Sequence, residues 1–123
     1  MGFSLIKKEE AARYDWGVNC KAWVLTDTPG LSVKFERIPP GAGETLHMHR
    51  NALQFFYVLK GTAAFEVEDQ TIAVSENQGI RIYPGTPHAV LNRGPADLEL
   101  LVVSQPDIQA DRVNLDRTAD PSP

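Results

Sequence analysis

Three histidines are the residues of this sequence best suited to chemistry. His47 and His49 are two positions apart, and His88 directly follows the turn-forming run 83–87. Residues i and i+2 of a β-strand point to the same face, so the first two imidazoles project together. A neutral imidazole is a good ligand for zinc, iron, copper or nickel. The spacing therefore predicts a site for one divalent metal ion.

The sequence pattern predicts that β-strands position these histidines. From Trp23 onward, short β-rich runs follow one another and turn residues separate them, which is typical of an all-β sandwich or barrel. No long helical pattern interrupts them, so an α/β fold is not expected. Strands are predicted over 21–26, 31–38, 46–49, 53–60, 63–68, 71–75, 80–83, 89–92 and 98–104.

Two of these runs show side-chain alternation that bears on the site. In the run 31–38, one set of alternating residues is apolar and the other is polar. The apolar set is Leu31, Val33 and Phe35, and the polar set is Ser32, Lys34 and Glu36. The two sets must face opposite sides of the sheet.

The run 53–60 is apolar on both faces. Alternation places Phe56 and Val58 on the same inward face as Gln54, where they are expected to line a pocket. The outward face carries Phe55, Tyr57 and Leu59. An outward apolar stripe predicts a covered surface, and a two-fold partner is the commonest way to cover it. We therefore expect a homodimer, with an N-terminal arm folded over the stripe as the alternative.

The stretch 41–61 resembles the first motif of the cupin superfamily. That motif runs Gly, five residues, His, one residue, His, four residues, Glu, six residues, Gly. Every interval matches, and the matching residues are Gly41, His47, His49, Gln54 and Gly61. Gln54 stands where the family has Glu.

The stretch 83–92 resembles the second cupin motif, which runs Pro, one residue, Gly, two residues, His, three residues, Asn. Gly85, His88 and Asn92 match, whereas Tyr83 replaces the first Pro. The resemblance covers about residues 31–104. It implies an all-β, single-domain antiparallel barrel of the double-stranded β-helix or jelly-roll type, like that of small bacterial cupins.

The resemblance also implies a ligand set of His47, His49 and His88, with Gln54 in the fourth position. A carboxylate would bind a hard divalent ion more strongly than an amide, which offers only its carbonyl oxygen. Gln54 therefore either binds the metal or orients a metal-bound water. The metal could be iron, manganese, nickel, zinc or copper, and the residues do not distinguish among them.

The expected function is that of a small metal-dependent enzyme, although the reaction is not specified by the fold. The leading hypothesis is dioxygenase-like oxidation or cleavage of a small organic molecule, because a three-histidine centre leaves room for substrate and oxygen. The alternatives are a non-redox isomerase or lyase acting on a sugar-like substrate, and a non-catalytic small-molecule-binding cupin. Arg81 and Tyr83 are weak candidates for acid–base or anion-binding groups. The amide at Gln54 favours redox chemistry or binding.

Length and composition set the remaining limits. The 123 residues fit one domain, and a net charge of -4 argues against a nucleic-acid partner. Cys20 is the only cysteine, which excludes an intrachain disulfide and a thiolate zinc site. Neither a signal-peptide core nor a membrane-spanning run is present, so a cytoplasmic location without membrane contact is expected. The expected division is an N-terminal arm (1–22), the barrel (23–105) and a polar surface tail (106–123).

Overall fold

The computed structural model describes residues 2–106 and 111–116, and its regular structure is almost entirely β. One turn of 3-10 helix, Lys8–Glu10, precedes the strands. Among the described residues no helix is long and apolar enough to cross a bilayer. The first six strands are β1 (Ala12–Trp16), β2 (Cys20–Thr28), β3 (Leu31–Ile38), β4 (His47–His49), β5 (Leu53–Lys60) and β6 (Ala63–Val67). The other five are β7 (Gln70–Val74), β8 (Gly79–Ile82), β9 (His88–Leu91), β10 (Leu98–Gln105) and β11 (Arg112–Asn114).

The strands form two antiparallel sheets that face each other. The six-stranded sheet has the order β1-β2-β3-β10-β5-β8, and the five-stranded sheet has the order β11-β4-β9-β6-β7. Strands distant in sequence lie side by side, as β10 does between β3 and β5. This arrangement confirms the prediction of an all-β, double-stranded β-helix fold.

The core lies between the sheets and is built by alternation along the strands. On β10, every second side chain from Leu98 to Ser104 is buried. On β5, Gln54, Phe56 and Val58 are buried and face inward, as the sequence predicts. Cys20 is fully buried, and burial raises the pKa of its thiol to about 11, which fits a small packing residue.

Two strands are absent from the sequence prediction. β1 pairs with β2 at one edge of the six-stranded sheet, within the segment assigned to an arm. β11 pairs with β4 at one edge of the five-stranded sheet, within the segment assigned to a surface tail. Asp111, just before β11, is buried. The rest of the expected tail, 107–110 and 117–123, lies outside the described residues.

The outer face of the six-stranded sheet carries a row of apolar side chains. Trp23 and Phe35 pack edge to face at 5.4 Å between ring centroids, with Lys8 Nζ over both rings. The stripe on β5 continues this face, and its Phe55 and Leu59 are 38% and 39% exposed. Lys8 therefore covers the Trp23 and Phe35 side of this face, and the β5 stripe keeps substantial exposure.

We expect the chain to sediment as a homodimer at micromolar concentration. Covering the β5 stripe removes large apolar side chains from water, and each is worth roughly 1.5–3 kcal/mol when fully buried. Leu59→Lys should shift the equilibrium toward monomer. The matched control is Ile72→Lys, since Ile72 is 36% exposed on β7 of the other sheet. A monomer mass for the unmodified chain in sedimentation equilibrium would contradict the dimer.

Candidate metal centre

Backbone pairing brings the three histidines together inside the barrel. His47 and His49 occupy the two ends of β4 and share its inward face, and His88 begins β9 directly opposite His47. Each ring is 1–3% exposed. One ligand nitrogen from each of the three lies within 4.8 Å of the others. This cluster could hold a metal ion.

A tight turn places His88 against β4. Gly85 has φ +79°, a backbone conformation that side chains other than glycine rarely adopt. Its N–H donates to the carbonyl of His49 at 2.7 Å, which ties the turn to the end of β4. The position of His88 is therefore fixed through its backbone as well as through the His47 pairing.

Hydrogen bonds to main-chain carbonyls define the tautomers of two rings. His47 Nδ1 lies 2.8 Å from the carbonyl oxygen of Thr45, and His88 Nδ1 lies 2.9 Å from that of Thr86. A carbonyl oxygen only accepts, so each Nδ1 must carry the proton and donate. The Nε2 atom of each neutral ring then presents a lone pair, which is what a metal ligand requires.

A buried carboxylate holds the third ring. His49 Nδ1 lies 2.8 Å from Asp111 Oδ1, and the other oxygen of Asp111 accepts the N–H groups of Asn51 and Ala52 at 3.1 and 2.9 Å. Burial alone would raise the pKa of Asp111, but the hydrogen bond from His49 and those two N–H groups outweigh it and lower the pKa. Asp111 therefore stays ionised and orients His49, a role that the sequence analysis does not find.

Burial keeps all three imidazoles neutral. Loss of solvation lowers the pKa of His47 to about 3 and that of His88 to about 4. Burial also lowers the pKa of His49, although Asp111 offsets part of the effect. Protons therefore do not compete for the Nε2 lone pairs near neutral pH.

Gln54 lies beside the cluster, at the position expected from the sequence. Its Oε1 is 3.0 Å from His88 Nε2, and its Nε2 donates to Ser104 Oγ at 3.0 Å. Phe56 packs edge to face on His88 with the ring centroids 5.8 Å apart, and Val58 lies within the hydrophobic core cluster.

The two weak acid–base candidates are placed elsewhere. Arg81 pairs with the outward-facing Phe55, and its guanidinium approaches the Tyr83 hydroxyl at 3.5 Å. Both side chains are exposed, Tyr83 by 60%. The structure does not bring them to the imidazole cluster.

Two other carboxyl groups, those of Glu36 and Glu44, have pKa values that burial raises. The polar set of β3 faces inward, so Glu36 is buried opposite Ala22 and Leu100. Burial and the nearby Glu44 raise the pKa of Glu36, and burial raises that of Glu44 despite a hydrogen bond from the Val90 N–H. Glu36 is not predicted as an interior group because polar residues of an alternating strand ordinarily face solvent, and Glu44 is not predicted because it lies in the irregular segment between β3 and β4.

Comparisons with known proteins assign this sequence to a family. The Cupin domain family matches residues 34–104. The alginate biosynthesis protein AlgA of Pseudomonas aeruginosa is 31% identical over 98 residues, which are 75% of this chain and 20% of AlgA. The mannose-1-phosphate guanylyltransferase RfbM of Salmonella typhimurium is 31% identical over 97 residues, 79% of this chain and 20% of RfbM. The chain thus spans about a fifth of the length of these two relatives.

Solved structures agree on the fold. A cupin-superfamily sugar phosphate isomerase from Silicibacter pomeroyi superimposes with a TM-score of 0.74 at 18% identity, covering 83% of this chain and 75% of that one. At this identity the likeness speaks for the fold alone. Because the family match spans more than half of the sequence and the barrel places the motif histidines together, the chain belongs to the Cupin domain family.

Proposed function

We propose that this cupin is a metal-dependent enzyme that carries out non-redox isomerase or lyase chemistry on a small sugar-like molecule. The observation that carries the proposal is the convergence of the three imidazole nitrogens with the oxygen of Gln54. The ion would be held by His47, His49, His88 and Gln54.

The contact between His88 and Gln54 supports a cation at this point. His88 Nε2 and Gln54 Oε1 are 3.0 Å apart, yet both are acceptors because His88 carries its proton on Nδ1. A divalent ion held by both residues would take one lone pair from each of these atoms. In this orientation of the amide, a shared cation would satisfy both lone pairs.

The Gln54 amide also has a satisfied orientation without metal. Half a turn about its last bond would let Nε2 donate to His88 and let the oxygen accept from the Ser104 hydroxyl. The Gln54 amide can thus form satisfied contacts both when an ion is bound and when it is not. A carboxylate in the same buried position would need the ion to offset its charge.

The chemistry is supported by the carboxyl groups of Glu36 and Glu44, which line one cavity together with Thr45, the partner of His47. A bound divalent ion would act as a Lewis acid that polarises a carbonyl or hydroxyl oxygen of the substrate. Glu36 and Glu44 have raised pKa values, so a carboxyl proton is available near neutral pH for transfer. A sugar-like substrate is supported by the name of a relative, the mannose-1-phosphate guanylyltransferase RfbM.

Dioxygenase-like oxidation is the second candidate, and the neutral three-histidine donor set favours it. The two candidates differ in their need for oxygen. With manganese or zinc bound, the proposed enzyme should convert an aldose phosphate or uronate under anaerobic conditions, as followed by proton NMR. Conversion that requires iron and consumes dioxygen in an oxygen electrode would instead establish the redox candidate.

Substitutions should test two properties of the ligand set: the need for each histidine, and the effect of a charged group at position 54. His47→Ala or His88→Ala should abolish stoichiometric binding of zinc in a competition titration, because each removes a buried donor. Gln54→Glu should keep or increase the affinity, because a carboxylate attracts a divalent ion more strongly. It should also lower the stability of the metal-free protein. The control with the same charge change is Gln70→Glu, at an exposed position on β7. A lower affinity for Gln54→Glu would show that Gln54 is not a ligand.

Asp111→Asn should weaken zinc binding about 10–100-fold, the usual effect of removing a carboxylate that orients a ligand histidine. Asn can still accept from His49 Nδ1–H but carries no charge. The same titration measures the change, and Asp15→Asn, on the exposed edge strand, is the control. Unchanged affinity would mean that the charge of Asp111 has no effect on zinc binding and that its role is structural.

The raised pKa of Glu36 predicts how stability changes with pH. Folded protein keeps a proton that the unfolded chain releases above its ordinary carboxyl pKa of 4.5, so stability falls as pH rises from there through neutral. Glu36→Gln removes this loss. Relative to the unmodified chain, the variant should gain about 1–2 kcal/mol of unfolding free energy between about pH 5 and pH 8.

Urea denaturation at both pH values measures this gain, and histidine contributions cancel in the difference. Glu99→Gln, which removes a carboxylate paired with Arg37 on the outer face, is the control. A difference between variant and unmodified chain that does not change with pH would mean that Glu36 is ionised in the folded state.

A further inference from the structure

A cavity of about 250 Å³ lies between the two sheet edges that the sequence analysis does not predict. Its lining includes Trp16 at the end of β1, Glu36 on β3 and Arg112 on β11, together with Glu44 and Thr45 from the segment before β4. Thr45 also accepts the hydrogen bond from His47 Nδ1, and Arg112 lies opposite His49 in the β4–β11 register. The cavity therefore shares Thr45 with the hydrogen bonding of the cluster, and the three histidines themselves are not part of its lining.

Two buried polar atoms in this lining are without a hydrogen-bond partner among the described residues. They are the indole nitrogen of Trp16 and Oε1 of Glu36, whose residue is 7% exposed. Buried polar groups in folded proteins nearly always find a partner, since leaving one unpaired costs about 1–3 kcal/mol. Both groups line the same cavity, so one occupant could satisfy both.

The two groups make opposite demands on that occupant. The indole N–H only donates, and the unpaired Oε1 of Glu36 accepts when the carboxyl proton lies on its other oxygen or on Glu44. A bare cation would satisfy Glu36 but would leave the indole unpaired and would meet the guanidinium of Arg112 in the lining. An anion would suit the indole but would face Glu36 and Glu44. A hydroxyl group accepts from the indole and donates to the carboxylate, so it satisfies both.

The other charged groups near the cavity already have hydrogen-bond partners, so they leave the ligand to Trp16 and Glu36. Glu44 accepts the Val90 N–H at 3.1 Å through one oxygen. Lys34 donates to the Tyr14 hydroxyl at 2.9 Å, and Arg112 donates through Nε to Asn114 at 2.8 Å. Burial favours retention of a proton by the carboxyl pair, so the pair can donate to one ligand oxygen as well as accept from another.

The volume limits the ligand to a small molecule. Sites for drug-sized ligands occupy about 300–1,000 Å³, and this cavity is somewhat smaller. One water occupies about 30 Å³ of liquid, so a single bridging water would fill only a fraction of the space. A molecule of monosaccharide size, with several hydroxyl groups, fits both the volume and the polar lining.

We propose that this cavity is a recognition site for a hydroxyl-rich ligand of monosaccharide size, with one ligand hydroxyl bridging Trp16 Nε1 and Glu36. The assignment of that ligand as a substrate rests on the proposed function. Recognition of the hydroxyl rests only on residues of this chain and does not need a metal.

The two tryptophans allow a direct test on the metal-free, full-length protein. Trp16 lines the cavity, whereas Trp23 packs against Phe35 on the outer face. The indole N–H signals are recorded by ¹⁵N–¹H NMR while D-mannose, and separately D-galactose, is added to millimolar concentration. Tetrahydropyran, a ring of the same size without hydroxyl groups, is the control ligand. We expect a saturable shift of the Trp16 signal with at least one sugar, no shift with tetrahydropyran, and a stationary Trp23 signal.

Glu36→Gln should weaken the binding at least tenfold because the amide accepts more weakly and cannot share a proton with Glu44. Glu99→Gln, on the outer face, should leave the affinity unchanged. If Glu36→Gln does not fold, Trp16→Phe is used, with saturation transfer to the sugar as the readout and loss of transfer expected. The proposal is overturned if neither sugar moves Trp16, if tetrahydropyran moves it equally, or if the variants bind as the unmodified chain does.

A zinc titration of the same samples separates this proposal from the proposed function. Sugar binding without zinc binding would refute the metal-dependent enzyme and leave the recognition site standing. Zinc binding without any sugar-dependent shift of Trp16 would refute the recognition site alone.

Discussion

The burial of three neutral imidazoles is the constraint that the rest of the structure must satisfy. Each ring can present its Nε2 lone pair only if its Nδ1 proton finds an acceptor away from water. Two acceptors are carbonyls two residues earlier in the chain, those of Thr45 and Thr86, so each ring is held by its own turn. The third is Asp111, which comes from a distant part of the chain. The placement of β4, β9 and the segment before β11 follows from these needs.

The interior of the barrel is polar on one side and apolar on the other. Around Phe56 and Val58 the lumen is an ordinary hydrophobic core, whereas along β3 it carries the buried Ser32 and Glu36. The corresponding apolar residues of β3 face outward, where Phe35 packs against Trp23. A strand can point its polar residues inward only where other residues cover its apolar outer face and where its inner face lines a polar space. The usual direction of polarity is therefore reversed in this strand.

The sequence predicts the parts of the fold that repeat and the parts of the site that are local. Periodicity gives the long strands because five to nine residues suffice to show alternation, and the pair His47 and His49 shares a face on any strand. β11 has only three residues, which is too short for a pattern. The contact between His49 and Asp111 spans 62 positions, and no local rule connects residues so far apart. Glu36 escapes notice because the rule that polar residues face water holds for most alternating strands.

The hydrogen bond between Asp111 and His49 joins the last described strand to the ligand cluster. An ion that binds only when His49 is correctly oriented must also favour the conformation in which β11 is paired with β4. By thermodynamic linkage the relation is reciprocal, so each equilibrium shifts the other by the same free energy. Amide hydrogen exchange along Arg112–Asn114 would then report the occupancy of a site buried inside the barrel. Exchange at this sheet edge would thus measure, from outside the barrel, whether an ion is bound inside it.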